Sequence, residues 1–411
     1  MFDAVDRLRG DCPYHHPLYL GQMLKPPHPI AQLAYTLAMS LNPNNHAYDG
    51  GRASSEMEKE SVTQLAEMFG WSQHLGHLTS GGTIANFEAL WVARELTDSG
   101  PLFASEHAHY THERLSRVLG IPFQKVRGDA KARMDLDHLE QLLKSSHPGT
   151  VVATIGTTAF GSVDPLPEII ELCRTYGFRL HADAAYGGYY RLVGGLSEET
   201  TRAYEALSDV DSLVVDPHKH GLQPYGCGCV LFQDPDVGRI YRHDSPYTYF
   251  TSEKLHLGEI SLECSRAGAA AVALWTTMRC FPPTPGGDFA AMLSCCWKAA
   301  RKLSAFLRSV PELELILEPE LDLVVWAVRE STASTSSERA REFFQKASER
   351  NLHLALANVP RSLAENRLPR MHWDKSAVTC LRSCLMKPEH LANMPRILDR
   401  FQCVLAEFRG S

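Results

Sequence analysis

Short apolar runs alternate with amphipathic segments through the middle of the chain. The runs TVVATI, SLVV and CVLF, at residues 150–155, 212–215 and 229–232, are rich in β-branched side chains. Between the first two runs, residues 166–176 place their apolar side chains at helical spacing. Strands that alternate with helices in this way predict a mostly parallel sheet that is covered on both faces.

The N-terminal region has a different pattern. Residues 1–50 are rich in proline, histidine and asparagine, and they predict an extended arm with one helix near residues 30–40. A longer helix is expected from residue 55 onward, because apolar side chains then recur with a period of about 3.6 residues. Ser54 or Ser55 is the expected N-cap of that helix.

A second layer is expected beyond the break PPTPGG at residues 282–287. Two helical patterns, at residues 288–309 and 337–350, alternate with strand patterns at residues 321–329 and 378–384. These elements predict a small α+β layer with antiparallel strands. The predicted division of the chain is an N-terminal arm at residues 1–55, a large domain at residues 56–285 and a small C-terminal domain at residues 286–411.

Composition and charge exclude several classes of protein. The chain of 411 residues has a formal net charge of −7, which argues against a basic surface for nucleic acid. Its longest apolar stretch, residues 269–275, is too short to span a bilayer, and the first residues lack the apolar core of a signal peptide. The 11 cysteines include no CxxC pair, which favours reduced thiols. We therefore expect a cytoplasmic protein that binds neither nucleic acid nor a membrane.

Two polar side chains come directly after apolar strands. Lys219 follows the strand at residues 212–215 within DPHK, and Asp183 ends the strand in FRLHADAAYGG. Open α/β sheets bind ligands at the carboxyl ends of their strands, so both side chains are candidates for one site. A desolvated lysine can form a Schiff base, and a carboxylate can keep a ring nitrogen protonated. Each residue taken alone is equally typical of a surface turn or of a helix N-cap.

A glycine-rich turn and a histidine cluster precede these two strands. In LTSGGTIAN, Gly81 and Gly82 free backbone amides at the start of a helix, which is a common phosphate-binding arrangement. In EHAHYTHER, the spacing of His107, His109 and His112 would suit a metal site, but no other cluster completes a set of ligands. Stacking of one histidine on a flat cofactor is the use that we favour, and we predict no metal.

The order of these four segments is itself informative: a glycine-rich turn, a histidine, a strand-end aspartate and a strand-end lysine. With HADAAYGG and DPHK as its most specific pair of motifs, the chain resembles the group II pyridoxal-phosphate-dependent amino acid decarboxylases. DPHKHG and the PYGCG that follows are similar to the branch of tyrosine and aspartate decarboxylases. The resemblance implies an α/β fold of fold type I, which is aspartate-aminotransferase-like, with a mostly parallel sheet in the large domain and a small C-terminal α+β domain.

The resemblance also implies roles for individual residues. Lys219 would hold pyridoxal 5'-phosphate as a Schiff base, Asp183 would pair with the pyridine nitrogen, and His109 would stack on the ring. Tyr225 corresponds to a tyrosine that protonates the product carbon, and Tyr247 is a second candidate for that role. The other cofactor contacts that the resemblance implies are Gly82, Thr83, Thr158, Ala185, Asp216, His218 and Ser265.

The implied reaction converts an aromatic or acidic L-amino acid to its amine and CO2. The resemblance further implies a homodimer with the active site at the interface, and it makes Arg382 and His16, together with Tyr247, candidates for contact with the substrate. Two other reactions remain alternatives. One is carbon–carbon bond cleavage by a lyase of the sphingosine-phosphate lyase type, and the other is amine oxidation or transamination.

Overall fold

The chain forms two compact units in a computed structural model. The structure describes residues 2–147, 149–242 and 255–409. The large unit comprises Pro27–Ser294 and Pro319–Leu321. The small unit comprises Met1–Pro26, Cys295–Glu318 and Asp322–Ser411. That the large domain binds the cofactor, with a smaller C-terminal domain beyond it, stays a prediction.

Helices and strands make up most of the described part of the chain. In chain order the helices are α1 (Phe2–Leu8), α2 (Pro29–Met39), α3 (Arg52–Met68), α4 (Gly82–Leu96), α5 (Thr111–Leu119), α6 (Leu136–Ser145), α7 (Leu166–Tyr176), α8 (Glu198–Glu205), α9 (Gly238–Tyr241), α10 (Gly268–Cys280), α11 (Asp288–Arg308), α12 (Ala333–Glu349), α13 (Arg361–Ala364), α14 (Glu389–Ala392) and α15 (Met394–Arg409). The strands are β1 (Leu75–Thr79), β2 (Leu102–Ser105), β3 (Phe123–Val126), β4 (Thr150–Thr154), β5 (Arg179–Asp183), β6 (Ser212–Val215), β7 (Gly228–Phe232), β8 (Leu313–Leu315), β9 (Leu323–Val328), β10 (Ala355–Pro360) and β11 (Ala377–Cys384).

The large unit is built around a seven-stranded sheet in the order β1-β7-β6-β5-β4-β2-β3. The strands from β6 to β3 are parallel to their neighbours, and β7 pairs antiparallel with both β6 and β1. No crossover helix separates β6 from β7, and a direct connection of this kind produces an antiparallel pair. Every residue of β2, β4, β6 and β7 is buried, as in a sheet with helices on both faces. The predicted mostly parallel sheet is confirmed.

Two details of the N-terminal region differ from the prediction. Residues 2–8 form the helix α1, which the sequence pattern did not indicate. The helix α3 begins at Arg52, three positions before the predicted start, and Gly51 is its N-cap. The predicted capping role of Ser54 or Ser55 is therefore wrong. The Ser54 hydroxyl does not accept from a helix amide and instead lies 2.5 Å from Asn45 Oδ1 and 3.1 Å from Gly51 O, to which it can donate.

The small unit contains an antiparallel four-stranded sheet in the order β10-β11-β9-β8, which confirms the antiparallel layer that was expected. Its core is aromatic, with Trp326 edge-on to Phe343 at a centroid distance of 5.0 Å. Leu20 belongs to the same core, because its amide donates to His353 O at 2.7 Å and its carbonyl accepts from Cys384 N at 2.8 Å. These bonds tie the N-terminal segment to the C-terminal strands of this unit.

No helix in the described residues is both long enough and apolar enough to cross a bilayer.

Candidate active site

A cleft of about 380 Å³ lies in the large unit, where the carboxyl ends of β4, β5 and β6 meet the start of α4. The residues that line it are Ser80, Gly81, Gly82, Thr83, Ile84, Asn86, His109, Tyr110, Thr111, Thr154, Gly156, Thr158, Asp183, Ala185, Tyr186, Asp216, His218 and Lys219. Every residue predicted to contact the cofactor lines this cleft, except Ser265. The parallel strands explain the convergence, because their carboxyl ends share one edge of the sheet.

Lys219 reaches this cleft from the turn that follows β6. Its backbone amide donates to Asp216 O at 2.9 Å, which closes the turn. Its Nζ lies 3.0 Å from Asp216 Oδ2, and the side chains are 24% and 2% exposed. His218 Nε2 lies 3.5 Å from the same carboxylate oxygen. The amine is therefore held in place by a buried carboxylate and keeps access to the cleft.

Asp183 ends β5 with both of its carboxylate oxygens held. Oδ1 accepts the backbone N–H of Ala185 at 3.2 Å, and Oδ2 lies 2.8 Å from His112 Nε2. Burial by itself would raise the pKa of the Asp183 carboxyl. The hydrogen bond with His112 and the electrostatic effect of the neighbouring His112 and Lys219 side chains outweigh that effect, and the pKa of the Asp183 carboxyl lies below its usual value. Asp183 is therefore a carboxylate at neutral pH.

The glycine-rich turn opens α4 directly beside Asp216. A Cβ atom placed on Gly82 would lie 2.5 Å from Asp216 Oδ2, so this close approach requires glycine. Asn86 Nδ2 donates to Gly82 O at 2.8 Å. Burial lowers the pKa of His181 to about 3, so its imidazole is neutral, and its Nε2 donates to Asn86 Oδ1 at 2.8 Å. The turn is thus tied to the strand β5 by buried side chains.

The three histidines of EHAHYTHER have three different surroundings. His109 lines the cleft, and burial lowers its pKa, so the imidazole is neutral at neutral pH. His107 packs edge-on to Phe160 at a centroid distance of 5.4 Å. His112 is bonded to Asp183. Within the described ranges, no group of three or more His, Cys, Asp or Glu side chains is placed to hold a metal ion.

Two predicted residues of the large unit lie outside the lining of the cleft. Tyr225 is 56% exposed, and its ring lies 5.0 Å from the ring of His218, which does line the cleft. Ser265 is also exposed, and its Oγ accepts a hydrogen bond from Asn44 Nδ2 at 3.1 Å. Their predicted roles as proton donor and cofactor contact stay proposals.

The predicted substrate contacts fall elsewhere in the chain. Arg382 and His16 belong to the small unit, where Arg382 Nη2 donates to Gln22 Oε1 at 3.0 Å. Tyr247 lies outside the described residues. Their predicted roles likewise stay proposals.

Sequence reasoning missed several residues of the site. Thr154 ends β4 beside Asp183, and the strand-end rule that singled out Asp183 would have found it as well. Asn86 was part of the glycine-rich motif but received no role. His112 was named only as a metal candidate, because nothing in its local pattern indicates a contact with a residue 71 positions away.

The cleft fits the cofactor that the resemblance implies. Pyridoxal phosphate needs an amine for its aldehyde, a carboxylate for its ring nitrogen and backbone amides for its phosphate. Lys219, Asp183 and the first turn of α4 offer these groups around one space. Three buried polar atoms of lining residues also have no hydrogen-bond partner among the described residues, namely Thr154 Oγ1, Asp216 Oδ1 and His218 Nδ1. Such atoms are typical of a site that is completed by a ligand.

Comparison with known proteins agrees with the geometry. Residues 14–329 match the model of the pyridoxal-dependent decarboxylase conserved domain. The chain is 27% identical to the L-tyrosine decarboxylase of Enterococcus faecium, in a match that covers 80% of this chain and 71% of that relative. It is 28% identical to a probable L-tyrosine/L-aspartate decarboxylase of Methanothrix thermoacetophila over 373 residues, covering 90% of each chain.

A solved structure supports the fold in the same way. The crystal structure of Oryza sativa TDC with PLP and tryptamine superposes with a TM-score of 0.82 at 17% identity, and the match covers 97% of this chain and 88% of that one. The resemblance inferred from the motifs is thus confirmed. Because the family match spans well over half of the sequence, the chain belongs to the pyridoxal-dependent decarboxylases, enzymes that use pyridoxal phosphate to remove the carboxyl group of an amino acid.

Proposed function

We propose that this enzyme decarboxylates an aromatic or acidic L-amino acid, with Lys219, Asp183 and His109 as the residues that hold the cofactor ring. The observation that carries the proposal is the convergence of these three side chains on one cleft at the carboxyl edge of the sheet. The substrate class rests on the relatives, whose names include tyrosine and aspartate decarboxylases.

Each residue has a task that its surroundings support. When bound, pyridoxal phosphate supplies an electron sink for the electron pair that the departing carboxylate leaves on Cα. Lys219 provides the amine that carries the cofactor between turnovers. Asp183, which is ionised and held by two hydrogen bonds, keeps the ring nitrogen protonated. The neutral ring of His109 stacks on the cofactor and excludes water from that face.

The phosphate belongs at the start of α4 in this proposal. Gly82 and Thr83 begin that helix, where backbone amides and the positive end of the helix dipole attract an anion. His218 offers a buried, unpartnered Nδ1 at the same cleft. Asp216 is acidic and would repel a phosphate by itself, so its pairing with Lys219 and its proximity to His218 reduce that repulsion.

Protonation of the product carbon is the step that distinguishes a decarboxylase from a transaminase. We assign it to Tyr225, whose ring lies against that of His218 and whose exposed position suits a proton donor supplied from solvent. Tyr247 is the alternative donor. A proton delivered to the cofactor carbon instead of Cα would end the turnover in an aldehyde.

The proposal includes a homodimer in a reducing compartment such as the cytoplasm. The exposed side of α2 and the residues after it carry three large apolar side chains at a spacing of four, namely Leu33, Leu37 and Leu41, which are 73%, 68% and 80% exposed. The opposite side of α2 is buried, so this stripe suits a second copy of the chain.

The 11 cysteines all lie in the described residues and are free, which suits a reducing compartment.

The experiment that tests this function is a CO2-release assay across the standard L-amino acids, on enzyme loaded with pyridoxal phosphate. Release of CO2 with an equal yield of amine from tyrosine, another aromatic amino acid or aspartate is the expected result. Aldehyde without CO2 would identify a carbon–carbon lyase. CO2 with ammonia and aldehyde would identify an amine-oxidising enzyme. CO2 release from a basic amino acid alone would overturn the substrate class.

A further inference from the structure

The His112 side chain is buried directly against Asp183 in the floor of the site. Its Nε2 lies 2.8 Å from Asp183 Oδ2, and the two side chains are 1% and 6% exposed. His109, three positions earlier, lines the cleft, whereas His107 packs against Phe160. Of the three histidines in this segment, His112 is the one that touches the carboxylate.

The His112 side chain is fully buried on the inner face of α5. The helix α5 is amphipathic, and the buried residues on its inner face are Thr111, His112, Leu115 and Ser116. An imidazole on such a face loses its hydration and is tolerated only when it is hydrogen-bonded. Asp183 satisfies Nε2, but Nδ1 is buried and has no partner among the described residues. The bond to Asp183 is thus the hydrogen bond of this buried ring among the described residues, and it connects the ring to a residue that lines the cleft.

The other charged and titratable groups that face Asp183 do not donate a hydrogen bond to it. The two ring nitrogens of His181 bond Ser212 and Asn86, and the hydrogen bond of the His109 ring is to Thr111 N, so neither ring holds Asp183. Lys219 contributes a positive charge, but it makes no hydrogen bond to Asp183 and is paired with Asp216. An amine that has become bonded to the cofactor can no longer act as a free ammonium. His112 is therefore the side-chain donor that stays with Asp183 in the loaded enzyme.

We propose that His112 is a positioning residue that holds the Asp183 carboxylate in place at the cleft, and thereby strengthens its pairing with the ring nitrogen of the cofactor. This inference rests on the proposed function, in which Asp183 faces that nitrogen. It has a specific consequence. The effect of His112 on binding should exist only for a cofactor that possesses a ring nitrogen.

The test compares pyridoxal phosphate with its 1-deaza analogue, in which carbon replaces the ring nitrogen. Dissociation constants of both compounds are measured by equilibrium dialysis on the apoenzyme. His112→Phe removes the donor, whereas His112→Gln keeps an amide N–H within reach of the carboxylate. His112→Asn is polar but too short to keep the bond, so it serves if His112→Phe does not fold. His107→Phe is the matched control, because His107 is a partly buried histidine of the same segment that packs against Phe160.

The deciding quantity is the ratio of the two dissociation constants, which measures the preference for pyridoxal phosphate over the analogue. A general loosening of the site would weaken the binding of both compounds and leave this ratio unchanged. We expect His112→Phe and His112→Asn to reduce this preference by roughly tenfold, the effect of losing a hydrogen bond to a charged group. His112→Gln should retain most of the preference, and His107→Phe should leave it unchanged.

Two other results would overturn the inference, and they differ in what else they affect. If wild type shows the preference but the His112 variants weaken the binding of both compounds equally, His112 is merely structural and the proposed function is unaffected. If wild type shows no preference, Asp183 does not pair with the ring nitrogen. The assignment of Asp183 in the proposed function then fails together with this inference.

Discussion

The Nζ of Lys219 lies 3.0 Å from Asp216 Oδ2, and this contact links two parts of the site that the sequence keeps apart. The same carboxylate oxygen is the atom that a Cβ on Gly82 would strike. Asp216 therefore sits between the lysine that would carry the cofactor and the turn that would bind its phosphate. A substitution at Lys219 should therefore alter the turn at Gly82, and a substitution at Gly82 should alter the position of Lys219, because all three residues share one buried contact.

Replacing Lys219 by alanine should abolish covalent attachment of the cofactor. With no amine at the cleft, borohydride reduction of the loaded protein should leave no cofactor on the chain, and CO2 release should fall by more than about a hundredfold. Mass spectrometry of the reduced protein gives the first result and the CO2 assay the second. Lys131→Ala is the control, since that exposed lysine pairs with Glu199 on the surface. A cofactor adduct that persists in Lys219→Ala would show that another residue carries the cofactor.

A methyl group at Gly82 should weaken cofactor binding without unfolding the protein. The new Cβ would lie 2.5 Å from Asp216 Oδ2, so the first turn of α4 must shift away from its place in the cleft. Overpacking of this size costs about 1–3 kcal/mol, so Gly82→Ala should raise the dissociation constant of pyridoxal phosphate by roughly tenfold or more. Gly194→Ala is the matched control, because a Cβ there meets nothing within 4 Å. Equal affinities for the two variants would contradict this account of the turn.

Removing the hydroxyl of Tyr225 should change the products as well as the rate. If Tyr225 donates the proton to Cα, Tyr225→Phe should lower amine formation by about a hundredfold and raise the share of turnovers that end in aldehyde. Parallel measurement of CO2, amine and aldehyde checks both effects. Tyr176→Phe serves for comparison, since that hydroxyl bonds Glu140 outside the cleft. An unchanged amine yield in Tyr225→Phe would move the role to another donor, with Tyr247 as the next candidate.

The free energy of unfolding should depend on pH through the carboxyl group of Glu320. Its Oε2 accepts from Val163 N at 3.3 Å and from Thr200 Oγ1 at 3.2 Å, and burial raises the pKa of the carboxyl from 4.5 to about 7. Between these two values the folded protein keeps the proton that the unfolded chain has released. Unfolding then releases a proton, so a rise in pH through this window favours the unfolded state.

Glu320→Gln isolates this effect, because glutamine keeps an acceptor oxygen and does not titrate. Urea denaturation at about pH 5 and about pH 8 should show wild type losing stability relative to Glu320→Gln at the higher pH. The difference should be reversible when the pH is lowered again. A difference between the two proteins that is equal at both pH values would show that Glu320 does not titrate in this window.

Much of the site was predictable because strands and their ends are encoded by short stretches of sequence. The runs that became β4, β6 and β7 contain enough β-branched residues to predict strands, and a polar residue after such a strand falls at the shared carboxyl edge of a parallel sheet. Lys219 and Asp183 were found in this way and line one cleft. The start of α3 was not predictable, since its N-cap is Gly51, which has no capping side chain, and the Ser54 hydroxyl donates to Asn45 instead of capping the helix.

Short motifs and their order along the chain were enough to predict the alternation of strands and helices, the family and the candidate residues that line the cleft. The contacts between elements show which of three closely spaced histidines meets Asp183, and that Asp216 joins Lys219 to the glycine-rich turn. His112 and Asp183 are 71 positions apart, and their contact exists because the fold brings the buried face of α5 to the end of β5. Spacing along a chain reports which side chains share a face of one element, whereas contact between elements depends on packing.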